Sequence, residues 1–288
     1  MKIEKPDLLT VNIGEVDIPY LSYHRRSTPT VVFMHATGFQ PWLWHPIARE
    51  LSDRFHIIAP YFCTHREPDP EKGFMSWLKL AEDLTRLCGK LDIEAPYMVG
   101  HSMGATLITI ASAVYGLKVR KMVLIEPIYL PEKTYRTEIR LQKHPLASKS
   151  IKRRNGWKDE TDAEAYLRSK EMFQDWDEEA IRLYISYGMV KNGNGFMRLS
   201  CPPEREAALF LGGSEYDPWP LLPEITCPVV VVEGENSINK TVIDLKKATA
   251  AFPKGSYTEV NGAGHLIPME KPAVVSGIIN EFLALQID

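Results

Sequence analysis

Val99-Gly100-His101-Ser102-Met103-Gly104-Ala105 sets one serine between two glycines, where an apolar string gives way to a helix-like run. G-x-S-x-G is short enough to recur by chance, so its surroundings carry the reading. Upstream, Tyr97 to Gly100 has the length and composition of a strand; downstream, Leu107, Ile108, Ile110 and Ala111 continue as a buried helix. A strand that becomes a helix so abruptly holds its middle residue in strained geometry, and presents that side chain at the carboxyl end of the sheet, where open α/β sheets bind ligands. Side chains at Gly100 and Gly104 would collide with the neighbouring strand and helix, which accounts for both glycines. Read blandly, Ser102 is a small turn residue; the strand-turn-helix context favours a nucleophile.

The same alternation extends outward in both directions. Strand-length apolar runs lie near Leu8-Ile13, Ile18-His24, Thr30-His35, His56-Tyr61, Lys121-Ile125, Val229-Glu233 and Tyr257-Val260. Segments of helical period separate them, including Met75 to Lys90, with Gly89 at its expected stop, and Ala273 to Leu285 after Pro272. This pattern predicts an α/β fold: a mostly parallel central sheet with helices on both faces. From residue 128 to 222 the rhythm stops. That stretch is charged and aromatic, with helix-like patches at Glu160-Met172 and Glu178-Tyr187 and a loop signal at Asn192-Gly193-Asn194-Gly195. It reads as a mainly helical cap inserted into one core formed by residues 1–127 and 223–288.

A length of 288 residues suits one such core with an insertion, and 44% hydrophobic residues supply it. The net charge of -3 gives no reason to expect nucleic acid or an anionic membrane surface as a partner. No apolar stretch reaches bilayer length, and the first residues lack the apolar core of a secretory signal. Cys63, Cys88, Cys201 and Cys227 are far apart, as in a reduced cytoplasmic protein, where the Asn239-Lys240-Thr241 sequon has no meaning. Metal-ligand spacing, a phosphate-binding loop and a dinucleotide fingerprint are all missing, so no cofactor is expected. Oligomeric state leaves no signal in the chain.

A serine hydroxyl needs a base to act as a nucleophile. Asn261-Gly262-Ala263-Gly264-His265, a glycine-rich loop after the last strand, can deliver His265 inward. An oxyanion needs donors as well. The Met103 N–H at the start of the helix is one, and the loop His35-Ala36-Thr37-Gly38-Phe39 offers a second, from Thr37. His35 is expected to bond backbone and hold this loop, and His101 to lean away from the nucleophile.

With these motifs in order, the chain resembles the α/β-hydrolases over nearly its whole length: HATGF as oxyanion loop, GHSMG as nucleophile elbow, a cap insertion, CPVVVVEGEN after it, and GAGHLIPMEKP around the histidine. The resemblance implies a Ser-His-acid hydrolase with a roofed pocket. It also exposes a departure. The family commonly carries an aspartate in a G-x-x-D turn after the cap, where Gly234-Glu235-Asn236-Ser237 has serine. Glu126, at the carboxyl end of the strand that follows the nucleophile's helix, is the expected acid, because haloalkane dehalogenases among the family take theirs from that strand end. Glu233 and Glu235 are the fallback acids and otherwise solvated turn residues. The family's Asp-x-Arg-Gly-His-Gly turn is likewise replaced by Ala59-Pro60-Tyr61-Phe62-Cys63-Thr64-His65-Arg66.

The function expected is a carboxylesterase acting on a small or medium apolar ester through Ser102, His265 and Glu126, with an acyl-enzyme. C–C or amide hydrolysis and acyl transfer are the alternatives on the same site. A binding or interaction protein that kept the fold and lost the chemistry is the alternative from another class. Trp42 and Trp44 either open a helix at the pocket mouth or join the core, and Lys152-Arg153-Arg154 reads as a solvated basic loop that can attract a substrate carboxylate.

Overall fold

Segments rich in β-branched residues pair into one eight-stranded sheet in the computed structural model, which describes residues 2, 5–24, 28–69, 71, 73–136 and 140–284. The strands in chain order are β1 (Asp7–Asn12), β2 (Asp17–Tyr23), β3 (Thr30–Met34), β4 (His56–Pro60), β5 (Tyr97–His101), β6 (Lys121–Ile125), β7 (Met189–Lys191), β8 (Met197–Leu199), β9 (Val229–Gly234) and β10 (Gly255–Val260). Each strand read from the sequence lies within one or two residues of these bounds. The sheet order is β1-β2-β4-β3-β5-β6-β9-β10. β2 runs antiparallel to both of its neighbours, and all other pairings in the sheet are parallel.

Alternation along the central strands divides the interior into two layers. Val31, Phe33, Val99, Val123, Ile125 and Val230 face one side of the sheet. There they meet Ile47 and Leu51 of α1 (His45–Leu51) and Val275, Ile279 and Leu283 of a helix starting at Pro272. Val32, Met34, Met98, Met122, Leu124 and Val231 face the other side, against α2 (Trp77–Lys90) and α3 (Met103–Tyr115). Both faces are covered, as continuous apolar strands require. Ser76 caps α2 by accepting the Lys79 N–H, so that helix starts two residues later than its apolar pattern; Gly89 lies inside its last turn.

Between β6 and β9 the chain leaves the sheet. It forms α4 (Glu132–Tyr135), α5 (Ala147–Ser150), α6 (Glu160–Arg168), α7 (Glu178–Gly188) and α8 (Pro203–Gly212), and β7 and β8 pair as an antiparallel hairpin. The Asn192–Gly195 loop signal is the tip of this hairpin, whose three-residue strands are too short to show a period. After β9 come α9 (Leu245–Ala251), α10 (Ile267–Glu270) and α11 (Pro272–Ala284). The expected end of the last helix at Leu285 lies outside the described residues. No helix among the described residues is long and apolar enough to cross a membrane.

Candidate active site

The turn between β5 and α3 holds Ser102 at φ +54° and ψ −117°, a conformation that L-residues rarely adopt. Its N–H donates to the Ile125 carbonyl at 2.9 Å, which continues the β5–β6 pairing by one residue. Both glycines are needed for close approach. A Cβ on Gly100 would lie 2.6 Å from the Ala105 backbone, and one on Gly104 would lie 2.3 Å from the Met34 carbonyl oxygen of β3. The helix therefore starts hard against the central strands, and the hydroxyl emerges at their carboxyl ends.

His265 reaches the hydroxyl from the loop after β10. Its Nε2 stands 3.2 Å from Ser102 Oγ, and its Nδ1 stands 3.0 Å from Glu126 Oε2. Two groups grip the backbone on either side. Glu270 accepts the Gly264 N–H at 2.5 Å and the Leu266 N–H at 3.2 Å, while His101 Nε2 bonds the His265 carbonyl at 2.9 Å. Burial raises the Glu270 carboxyl above its usual range and holds His101 far below its own, with the nearby His265 adding to the effect on His101. His101 thus leans towards the histidine loop, with its ring 5.1 Å from that of His265.

Glu126 repeats the device used at Ser102 one strand further along. It follows β6 at φ +49°, and its N–H donates to the Val232 carbonyl of β9 at 2.8 Å. The side chain is fully buried, a costly place for a carboxylate unless donors replace the lost water. Gly234 N–H donates to Oε1 and the Ser237 hydroxyl to Oε2, each at 2.8 Å. Ser237, standing where the family's aspartate is usual, donates to the Glu126 carboxylate instead. The fallback acids are turned elsewhere: Glu233 is buried against the Tyr257 hydroxyl and not solvated, and exposed Glu235 accepts the Gly262 N–H.

The loop after β3 lies beside the start of α3. Thr37 and Met103 are buried there, and neither N–H has a partner in the backbone network among the described residues. His35 braces the loop as expected: Nδ1 bonds the Ala36 carbonyl and Nε2 accepts the Phe62 N–H, both at 2.9 Å. Burial pulls its pKa down from 6.5 to about 4. Between those values an unfolded histidine takes a proton and folded His35 does not, so the native state loses stability as pH falls from 6.5 towards 4, by about 3 kcal/mol for this residue. Urea titrations across that interval should show the loss, and His35→Gln, which accepts but never protonates, should flatten it. An unchanged slope in that variant would remove His35 as the cause.

Above the site, Phe39 packs on Trp176 and Tyr184 of the 132–224 segment, with ring centroids 5.6 and 5.8 Å apart. Trp42 and Trp44 are both buried, and Trp42 stacks on Tyr187 at 3.8 Å, so they serve the core and the seam with α7. Arg49 and Glu179 close the same seam with a bidentate pair at 2.9 and 3.0 Å. The solvated reading of Lys152-Arg153-Arg154 fails at its centre. Arg153 is half-buried, donates to both Glu206 carboxylate oxygens, and thereby holds that carboxylate against Gly38. Arg154 packs on the rings of Trp157 and Tyr166. A broad cleft lined by Phe74, Tyr135, Arg140 and Glu215 includes none of these site residues. All four cysteines are free thiols, three of them buried.

Sequence reasoning named Ser102, His265, Glu126, Thr37 and Met103, and the structure gathers all five at one end of the sheet. It missed Ser237 as a donor, Glu270 as the brace of the histidine loop, and Asn239, whose terminal amide lies 2.9 Å from His265 Nδ1. The departure from the G-x-x-D turn was the one available signal for Ser237, and nothing local marks Asn239. His65 and Arg66 of the altered turn after β4 both bond Asp83 of α2, so that turn is tied down without the family's motif.

The chain is 27% identical over 276 residues to the 2-(acetamidomethylene)succinate hydrolase of Mesorhizobium japonicum, an alignment spanning 95% of this chain and 94% of that one. It is 23% identical over 240 residues to esterase YbfF of Escherichia coli, covering 82% and 86% of the two. Among solved structures, an E-2-(acetamidomethylene)succinate hydrolase superposes with a TM-score of 0.81 at 24% identity, over 97% of this chain and all of the other. The model of the alpha/beta hydrolase family matches residues 31–278. Elbow, sheet order and this match agree, and the chain belongs to the alpha/beta hydrolase family.

Proposed function

We propose that this hydrolase is a carboxylesterase for small or medium apolar esters, with Ser102 as nucleophile, His265 as general base and Glu126 as its acid partner. The unbroken relay from Ser102 Oγ to His265 Nε2 at 3.2 Å, and from Nδ1 to Glu126 Oε2 at 3.0 Å, carries the reading. His265 takes the serine proton as Oγ attacks the carbonyl carbon, and the Thr37 and Met103 N–H groups receive the oxyanion. The proton on Nε2 then passes to the leaving alcohol, and water repeats the sequence on the acyl-enzyme. Glu126 stabilises the imidazolium in both halves. Residues 128–222 act as a cap whose aromatic side chains supply apolar walls and keep bulk water from the acyl-enzyme.

Amide hydrolysis is the second reading. A relative aligned over 95% of the chain is named for hydrolysis of an acetamido compound, and the same relay serves both bonds.

The test is labelling by a fluorophosphonate, read by intact mass. One adduct on the wild type and none on Ser102→Ala is expected; an unlabelled wild type would overturn the proposal in favour of a binding protein. Matched ester and anilide substrates then separate the two readings by their kcat/KM ratio.

A further inference from the structure

We infer that Asn239 is a positioning residue for His265, giving Nδ1–H a second acceptor beside Glu126. The inference rests on the proposed roles of Ser102, His265 and Glu126.

Two side chains converge on one imidazole nitrogen: the Asn239 amide at 2.9 Å and Glu126 Oε2 at 3.0 Å. Glu126 is an acceptor, with Gly234 N–H and Ser237 O–H already donating to it, so the group facing it must be Nδ1–H. An amide N–H aimed at that proton would repel it. A half-turn of the Asn239 amide leaves the reach unchanged and brings Oδ1 to face the imidazole N–H.

The placement has a backbone cause. Asn239 sits in the helical turn Ile238–Thr241, directly after Ser237, and its carbonyl accepts the N–H groups of Val242 at 2.9 Å and Ile243 at 2.7 Å. One short turn thus sends Ser237 to the acid and Asn239 to the histidine. Oε2 divides its accepting capacity between Ser237 and His265, so the Nδ1–H···Oε2 bond alone holds the ring loosely. A second acceptor on the same N–H limits ring rotation and keeps Nε2 on Ser102. Being neutral, Asn239 does this without adding charge.

The charged and titratable groups around the imidazole, among the described residues, are Glu126 from the end of β6, Glu270 from α10 and His101 from β5, while Lys240 of the Asn239 turn is held away on the Glu235 carbonyl and Glu259. Ester kinetics from pH 5 to 9 on Asn239→Ala, Asn239→Leu and Asn239→Asp test the inference, together with the downfield proton NMR signal of Nδ1–H. Alanine and leucine should lower kcat about tenfold with KM held, which is the size of one lost hydrogen bond, and should shift the Nδ1–H signal. Aspartate restores an acceptor and adds a negative charge, so it should recover most of kcat and move the acid limb of kcat/KM to higher pH. Wild-type kcat in alanine and leucine, with an unmoved limb in aspartate and an unshifted proton signal, would overturn the inference. Fluorophosphonate labelling of the wild type keeps the two questions apart: a labelled wild type with indifferent Asn239 variants sinks only this inference, whereas an unlabelled wild type sinks the triad and this with it.

Discussion

Glu126→Gln is expected to lower ester turnover by about four orders of magnitude while leaving the fold intact. Glutamine has the shape to keep the Gly234 bond but can turn its NH2 towards Nδ1. That selects the imidazole tautomer with its proton on Nε2, facing the serine that must lose one. The Ser237 hydroxyl lies 2.8 Å from the same carboxylate oxygen that faces His265, so the turn after β9 is within reach of a second solution. Ser237→Asp added to Glu126→Gln should recover about tenfold or more over the single variant. Ser237→Asp alone should lose activity, since it sets two carboxylates side by side in a buried site. Steady-state kinetics on the four proteins decide it. If Glu126→Gln stays within tenfold of wild type while Glu235→Gln collapses, the acid lies on the turn and not on β6.

Ser102→Ala should reduce turnover by about 10⁴- to 10⁶-fold, leaving only what the oxyanion donors and binding contribute. The same position offers a stability readout. At φ +54° alanine keeps the strain that serine bears, whereas glycine relieves it. Ser102→Gly should therefore be about 1 kcal/mol more stable than Ser102→Ala, a rise of roughly 2–4 °C in Tm, and equally inactive. Equal melting temperatures would show that the elbow stores no strain at this residue.

Most of this site was legible because its signals are local. Gly100, Ser102 and Gly104 make sense within five residues, whereas Glu126 is singled out by its place at a strand's end together with the family resemblance. Strand bounds came through because period-2 alternation and buried β-branched runs survive in any context. What was missed depends on distant packing. Arg153 meets Glu206 across 53 residues and His101 meets the His265 carbonyl across 164, so neither pairing leaves a trace in its own neighbourhood. Asn239 looked like an idle sequon because its partner lies 26 residues away on another loop. The β7–β8 hairpin was lost for a different reason: three residues are too few to display a period.

The contact of Gly104 with the Met34 carbonyl has a consequence for how such a protein changes over generations. The N–H groups proposed to receive the oxyanion belong to the main chain, and their spacing is set by a helix resting on a strand where one methyl group would intrude. Among the twenty residue types only proline removes a main-chain N–H, and at Gly104 any side chain meets an immediate steric veto. The chain between β6 and β9 meets Phe39 and Trp42 through the side chains of Trp176, Tyr184 and Tyr187, although Gly212 within it lies as tightly against the Met75 carbonyl as Gly104 does against that of Met34. Exchanging those aromatic side chains would reshape the walls above the proposed site without moving the main-chain N–H groups that the Gly104 contact fixes.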